Sequence, residues 1–301
     1  MISAVVHTYN EEKNIDRCLS SLSFVDEIVL IDMGSNDKTV EIALDHGART
    51  FPHEYTGFVE PARNFGIAKT KGEWVLIVDA DEEIAKELAH YLKAETQNLR
   101  GDFYRLARKN IIFGKWVRHA GWWPDYQVRF FKKGAVLWTE KIHGVPMTKG
   151  TGVDIEPTED LAIVHHHYQN LDQYIERLNR YTSVNAKELY ISGTKFALSD
   201  CIKRPSREFI SRFFVRHGIK DGMFGLALCT LQSFSELILY LKLWELEGYT
   251  REHISLPELV AEVRKERKHA AYWYFNELLK QPHTIMDDIL LRIKRKLASN
   301  G

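Results

Sequence analysis

Hydrophobic and polar positions follow two rhythms through the first eighty residues. Apolar, β-branched runs at residues 2–9, 27–32, 48–53 and 74–79 have the length and composition of buried strands, each ending in polar turn formers. Between them, residues 13–22, 38–46 and 60–69 carry apolar side chains at three- and four-residue spacing and predict amphipathic helices. Strand and helix in alternation imply an α/β fold with a mostly parallel sheet. In open sheets of that kind the ligand crevice lies beyond the carboxyl ends of the strands. Here those ends read Thr8-Tyr9-Asn10-Glu11, Asp32-Met33-Gly34-Ser35 and Asp79-Ala80-Asp81-Glu82.

The rhythm then changes twice. From Asp102 to about Trp138 the strands become rich in aromatics and arginine, and a Gly/Pro-rich, loop-like stretch follows near residues 144–157. After His165-His166-His167 the spacing of Leu171, Tyr174, Leu178 and Tyr181 is helical, and it stays so to the end. The expected organisation is a catalytic domain over 1–168 and a helical region over 169–301. Within the latter, Lys203, Arg204, Arg207, Arg212, Arg216 and Lys220 interleave with Phe209, Ile210, Phe213, Phe214 and Val215. The apolar run that follows is interrupted by Gln232, Ser233, Ser235 and Glu236, short of the ~20 uninterrupted apolar residues of a spanning helix. Residues 203–245 are therefore expected to touch a membrane peripherally, through basic residues and aromatics that suit anionic lipid. A buried helix pair with a solvated basic face has the same pattern.

Composition narrows the function classes. A chain of 301 residues, 45% hydrophobic, is long enough for a large core. Its 41 basic and 41 acidic residues cancel, so no overall field recruits nucleic acid. Cys18, Cys201 and Cys229 lack paired spacing, which fits a reducing compartment better than a disulfide framework. With a strand-like start and no basic leader, the expected location is cytoplasmic, at the inner face of the cytoplasmic membrane.

Asp79 and Asp81 alternate at a strand end, so both carboxylates share a face and suit one divalent cation, Mn2+ or Mg2+, which neutralises a diphosphate. The same residues suit a solvated strand end or a helix cap. Asp32 with Gly34, Ser35 and Asp37 suits a base or ribose, Gly34 letting backbone approach a ligand closely; it equally suits a turn capped by Ser35 or Asn36. Thr8 to Glu11 reads as a nucleotide wall or as helix entry. The first strand turn lacks Gly-x-Gly-x-x-Gly, against a dinucleotide oxidoreductase, and the Asp-x-Asp sits on the fourth strand rather than the first, against an aspartyl phosphatase.

In this order the three strand ends resemble glycosyltransferase family 2, whose members adopt the GT-A fold. Pro61-Ala62-Arg63-Asn64 is a further match. Segments 121–131 (Gly121-Trp122-Trp123-Pro124-Asp125 through Phe131), Ile142-His143-Gly144 and Leu178 to Thr182 are similar to the bacterial branch that includes lipopolysaccharide core β-1,4-glucosyltransferases, so the likeness covers most of residues 1–245. Trp123, where that branch usually has Tyr, and Gly144, where it more often has Glu, are departures. The resemblance implies an inverting, metal-dependent transfer from a nucleoside diphosphate sugar, a UDP-sugar, to a glycan or lipid-linked acceptor in cell-envelope polysaccharide synthesis. It assigns the nucleotide-sugar to Thr8, Tyr9, Asn10, Glu11, Asp32, Gly34, Ser35, Arg63 and Asp79, with Arg63 suited to diphosphate by charge and geometry. The metal falls to Asp79, Asp81 and a downstream histidine, His143 or His165. Trp122 and Trp123 are placed at the acceptor, where indole faces stack on sugar rings. Asp125 is the expected general base, with aromatic neighbours desolvating it and raising its proton affinity. The alternative is a non-catalytic, nucleotide-sugar-binding regulatory module.

Overall fold

A computed structural model describes residues 1–55, 59–98, 100–139, 145–250 and 253–299. The chain divides into two compact units, residues 1–116 with 123–167, and residues 117–122 with 168–301. The first unit runs β1 (Ile2–Thr8), α1 (Ile15–Ser20), β2 (Glu27–Asp32), α2 (Thr39–Asp45), β3 (Arg49–Pro52), α3 (Glu60–Lys69), β4 (Trp74–Asp79), β5 (Glu82–Ile84), α4 (Lys86–Asn98) and β6 (Phe103–Ile112). It continues through β7 (Lys115–Trp116), β8 (Asp125–Lys132), β9 (Val136–Leu137), β10 (Met147–Thr148), β11 (Gly152–Asp154) and β12 (Ile163–Tyr168).

Among the described residues ten strands form one sheet, ordered β3-β2-β1-β4-β8-β6-β12-β5, with β7 and β11 also on β6. β1 pairs in parallel with both β2 and β4, whereas β8 lies antiparallel to β4 and to β6. All seven residues of β1 are buried, as a strand covered on both faces must be. Alternation sorts the side chains. Ile2, Ala4, Val6, Trp74, Leu76 and Val78 meet Cys18 and Leu19 of α1 and Leu88 and Leu92 of α4, while Val5, Val29, Ile31, Val75 and Ile77 meet Ala62 and Ile67 of α3 on the other face. Gly66 brings α3 close to the sheet: a Cβ there would lie 2.6 Å from Val5 Cγ1 and 2.9 Å from Ile31 Cγ1.

The direction of strand addition reverses between β1 and β4, which makes that point the topological switch where α/β sheets open a crevice. Register places Thr8 beside Asp32 and His7 beside Asp79.

The second unit is helical: α5 (Leu171–Ile191), α6 (Asp200–Ile210), α7 (Gly222–Leu246), α8 (Leu256–Leu278) and α9 (Ile285–Ser299). Tyr174, Leu178 and Ala186 of α5 and Leu228, Cys229 and Leu243 of α7 are buried. The expected interruption of the apolar run does not break the helix. α7 is continuous over 25 residues and, by length and composition, long and apolar enough to cross a membrane. Two of its polar residues are engaged within the unit, Gln232 donating to the Tyr174 hydroxyl at 2.8 Å and Ser233 to the Pro205 carbonyl at 2.8 Å. The basic cluster is likewise partly engaged. Arg204 pairs with Asp200, Arg207 with Glu266 and Arg212 with Glu208.

Candidate active site

The first two strand ends are knitted together by their own polar groups. Asn10, at φ 56, donates its N–H to Ser35 Oγ at 2.9 Å and accepts the Asn36 N–H on Oδ1 at 2.9 Å. The Asp32 carboxylate accepts the N–H groups of Gly34 and Ser35, each at 3.2 Å, and so builds the turn in which Gly34 takes φ 94. The Glu11 N–H donates to Thr39 Oγ1 at 2.8 Å, and its carboxylate accepts from Asn14. Asn10, Glu11 and Ser35 thus spend hydrogen bonds on loop architecture. Thr8 Oγ1 is buried without a partner, and the exposed Tyr9 ring stacks on Tyr55 with centroids 4.1 Å apart.

Charge concentrates at the third strand end. Arg63 Nη2 donates to Asp79 at 3.1 Å from α3, and Arg129 Nη2, from β8, donates to Asp79 and, at 2.7 Å, to the fully buried Glu82. Glu82 also accepts the Asp79 N–H at 2.9 Å. Burial alone would push the Asp79 carboxyl up, but the Arg129 and Arg63 guanidiniums hold it well below the usual carboxylate range. Among the described residues Arg63 Nη1 and Arg129 Nε are buried without partners, so this corner carries spare donor capacity. Beside it His7 is wholly buried, its Nε2 donating to the Ala62 carbonyl at 3.3 Å and its Nδ1 left without a partner. Burial, then Arg63, pushes its pKa down to about 3.

Asp81 keeps different company. His165, brought opposite Glu82 by the antiparallel pairing of β12 with β5, sets Nε2 3.6 Å from Asp81 Oδ2 and 3.1 Å from His167 Nδ1. Its Nδ1 lies 2.6 Å from Asn110 Oδ1, and Asn110 Nδ2 donates to Asp125 Oδ2 at 3.3 Å. A hydrogen-bonded chain therefore links Asp125 through Asn110 to His165, next to Asp81. The aromatic desolvation expected of Asp125 does not prevail. Burial raises its proton affinity, but the Arg108 guanidinium and hydrogen bonds from Gln127, Arg108 and Asn110 outweigh it and hold the carboxyl below its ordinary value.

Asp79 and Asp81 thus part company, one among arginines and the other beside histidine. Among the described residues no three His, Cys, Asp or Glu side chains come together as a metal shell. His143 lies outside the described residues. Trp123 stands edge-on to Trp116 at 5.2 Å in the first unit, while Trp122 belongs to the second, under the Arg212 guanidinium at 5.8 Å. Sequence reasoning missed Arg108, Asn110, Arg129 and His7. The available signal was period-two polarity inside buried strands, Arg108-x-Asn110 and Asp125-x-Gln127-x-Arg129.

Residues 3–150 match the family model of Glycosyl transferase family 2. The chain is 25% identical over 283 residues to an uncharacterized glycosyltransferase of Rickettsia felis, covering 89% of this chain and 98% of that one. It is 24% identical over 236 residues to the lipopolysaccharide core biosynthesis glycosyltransferase LpsC of Rhizobium meliloti, covering 74% and 84%. A crystal structure of S. aureus TarS 1–349 in complex with UDP aligns at a TM-score of 0.44 and 14% identity, over 85% of this chain and 94% of that one. The mixed α/β sheet, parallel from β3 through β4, is of the GT-A kind. Through residues 3–150, the chain belongs to glycosyl transferase family 2.

Proposed function

We propose that this chain is an inverting hexosyltransferase that moves a sugar from a nucleoside diphosphate donor, a UDP-sugar, to a glycan or lipid-linked acceptor of the cell envelope. The observation that carries the reading is the hydrogen-bonded run from Asp125 through Asn110 to His165, beside Asp81, with the Arg63–Asp79–Arg129 cluster at the neighbouring strand end. It supports a carboxylate base and an anion site within one unit.

Thr8, Tyr9, Asn10, Glu11, Asp32, Gly34 and Ser35 form the wall for base and ribose, and Arg63 and Asp79 line the diphosphate side. Arg129, with its unused Nε, joins Arg63 there. The acceptor hydroxyl attacks the anomeric carbon from the face opposite the diphosphate as the bond to the departing oxygen breaks. Asp125 takes the hydroxyl proton. The guanidiniums stabilise the charge that gathers on the leaving diphosphate.

The residues fit a divalent cation of the Mn2+ or Mg2+ kind in part. Asp81 and His165 bring an oxygen and a nitrogen 3.6 Å apart, and such ions are commonly held by one or two carboxylates with substrate phosphates and water completing the shell. Asp79 and His143 are the further proposed ligands. A bound ion neutralises diphosphate charge.

Trp122 and Trp123 serve the acceptor, 1–168 is the catalytic domain, and 169–301 contributes peripheral contact with the cytoplasmic face of the membrane through residues 203–245. Met223, Leu226 and Phe234 are the exposed apolar residues of that stretch on α7.

The test is a thermal-shift and hydrolysis screen of uridine, guanosine and thymidine diphosphate sugars, with and without Mn2+. A uridine diphosphate sugar is expected to raise Tm and to release its nucleotide slowly into water. Binding without any release leaves a non-catalytic nucleotide-sugar module; no binding by any donor overturns the reading.

A further inference from the structure

We propose that α9 is an interfacial helix that docks the protein on an anionic lipid surface. α9 packs on α8 by a narrow face: Asp288, Leu291, Arg295 and Ala298 are half-buried, and Arg295 donates to Asn276 of α8 at 3.0 Å. The opposite face is apolar and bare. Ile285 is 84% exposed, Met286 80%, Ile289 56%, Leu290 48%, Ile293 52% and Leu297 68%. At 100° per residue these six side chains fill one arc of about 140°, with no polar residue among them except Lys296 at one edge.

The rim of that arc carries the charge that selects the occupant. Arg292 and Lys296 border one edge and Lys294 lies beyond the other, all three exposed. Among the described residues neither Lys294 nor Lys296 has an ion-pair partner. The two carboxylates of the helix, Asp287 and Asp288, sit in its first turn, and Asp288 is occupied by Arg292 and His283. A broad apolar face with a cationic rim is the design of a helix lying in a bilayer interface, where acyl chains take the apolar side chains and anionic headgroups take the lysines.

This surface differs from the one in residues 203–245. There Arg204, Arg207 and Arg212 are paired within the folded unit. The α9 proposal does not depend on membrane contact through 203–245, nor on the donor or acceptor of the reaction.

The experiment is co-sedimentation of the full chain with phosphatidylglycerol–phosphatidylethanolamine vesicles and with phosphatidylcholine vesicles. Wild-type protein is expected in the anionic pellet only. Ile289→Asp with Ile293→Asp should lower partitioning about tenfold or more at any salt, since it removes buried apolar area. Arg292→Gln, Lys294→Gln and Lys296→Gln together should lower it at low salt and little at high salt. Met223→Asp with Phe234→Asp reads the separate contribution of the other segment, and the α9 variants should lower pelleting in that background as well. All of these positions face water, so circular dichroism and Tm should hold; should the double aspartate variant unfold, Ile293→Trp reports instead, its emission shifting to the blue on anionic vesicles. Wild-type-like pelleting of the α9 variants, no pelleting of wild type, or an unshifted Trp emission overturns the proposal. So does a light-scattering dimer that the Ile289/Ile293 variant abolishes while vesicle binding persists, which would make a second copy the occupant.

Discussion

Arg108 faces Asp125 across β6 and β8, its Nε at 2.8 Å and its Nη2 at 2.6 Å both directed at carboxylate Oδ2. The pairing keeps the proposed base ionised while burial works against it. An ionised carboxylate is competent to take a proton, but one held by a guanidinium is a weaker base than a desolvated one. The arrangement favours a base that works over a wide pH range.

Arg108→Met removes the attraction and leaves the burial. The acid limb of the kcat profile, which for wild type should lie below the ordinary carboxylate range, is expected to move to higher pH in the variant. An unchanged limb would separate Asp125 from catalysis. In a parallel measurement Asp125→Asn should keep donor affinity and lose turnover by roughly 10² or more.

His7 supplies a stability signature with the opposite working range to a paired histidine. Its folded pKa of about 3 lies below the unfolded value, so the folded state prefers the neutral ring. Its contribution is fully present above the unfolded value and is lost as pH falls from about 6.5 toward 3. In that window urea unfolding should show stability declining by up to about 1.4 kcal/mol per pH unit from this residue. His7→Gln should flatten the decline below about pH 6.5, most clearly above about pH 5.5, where ordinary carboxylates are still almost fully ionised. An equal slope in both proteins rules out His7 as its source.

Much of the central sheet was legible because its strands are buried on both faces and read as unbroken apolar runs. β2, β4 and α3 fall on the expected residues, which puts Asp32 and Asp79 at strand ends and Arg63 on the helix that reaches Asp79. Arg108, Asn110 and Arg129 were not legible as site residues. Their partners come from long-range pairing, Arg108 and Asn110 on β6 meeting Asp125 on β8 and Arg129 on β8 meeting Asp79 on β4, which alternation within a strand does not name. The same gap misled the reading of Asp125. Its sequence neighbours are aromatic, but its spatial neighbours are the guanidinium and amide of β6. In α7 the polar residues at 232–236 looked like a break because their partners on α5 and α6 are set by tertiary packing.

Gly66 should tolerate no side chain. Gly66→Ala places a methyl 2.6 Å from Val5 Cγ1, inside contact distance of two buried residues in the sheet. Overpacking of this kind costs about 1–3 kcal/mol, readable as a lower urea midpoint at unchanged slope. A midpoint equal to wild type would mean that α3 can lift from the sheet freely, and Arg63 would then not be held rigidly at Asp79.

Asp79 and Asp81, although two residues apart, should respond differently to the same substitution. Asp79 balances two nearly buried guanidiniums, those of Arg63 and Arg129. Asp79→Asn leaves that charge uncompensated, and breaking a buried pair from one side costs about 3–5 kcal/mol, a figure Glu82 lowers here because it still holds Arg129. Asp81 touches His165 at 3.6 Å, and Asp81→Asn keeps the side chain's size there while removing its charge. Its loss should appear instead in calorimetric titration of a uridine diphosphate sugar, where the gain in affinity on adding Mn2+ disappears. Asp79→Asn should weaken donor binding both with and without the ion, because the arginine cluster it organises is on the diphosphate side. A variant of Asp81 that keeps the full Mn2+ effect would remove it from the proposed ligands and return the assignment to Asp79 and the histidines.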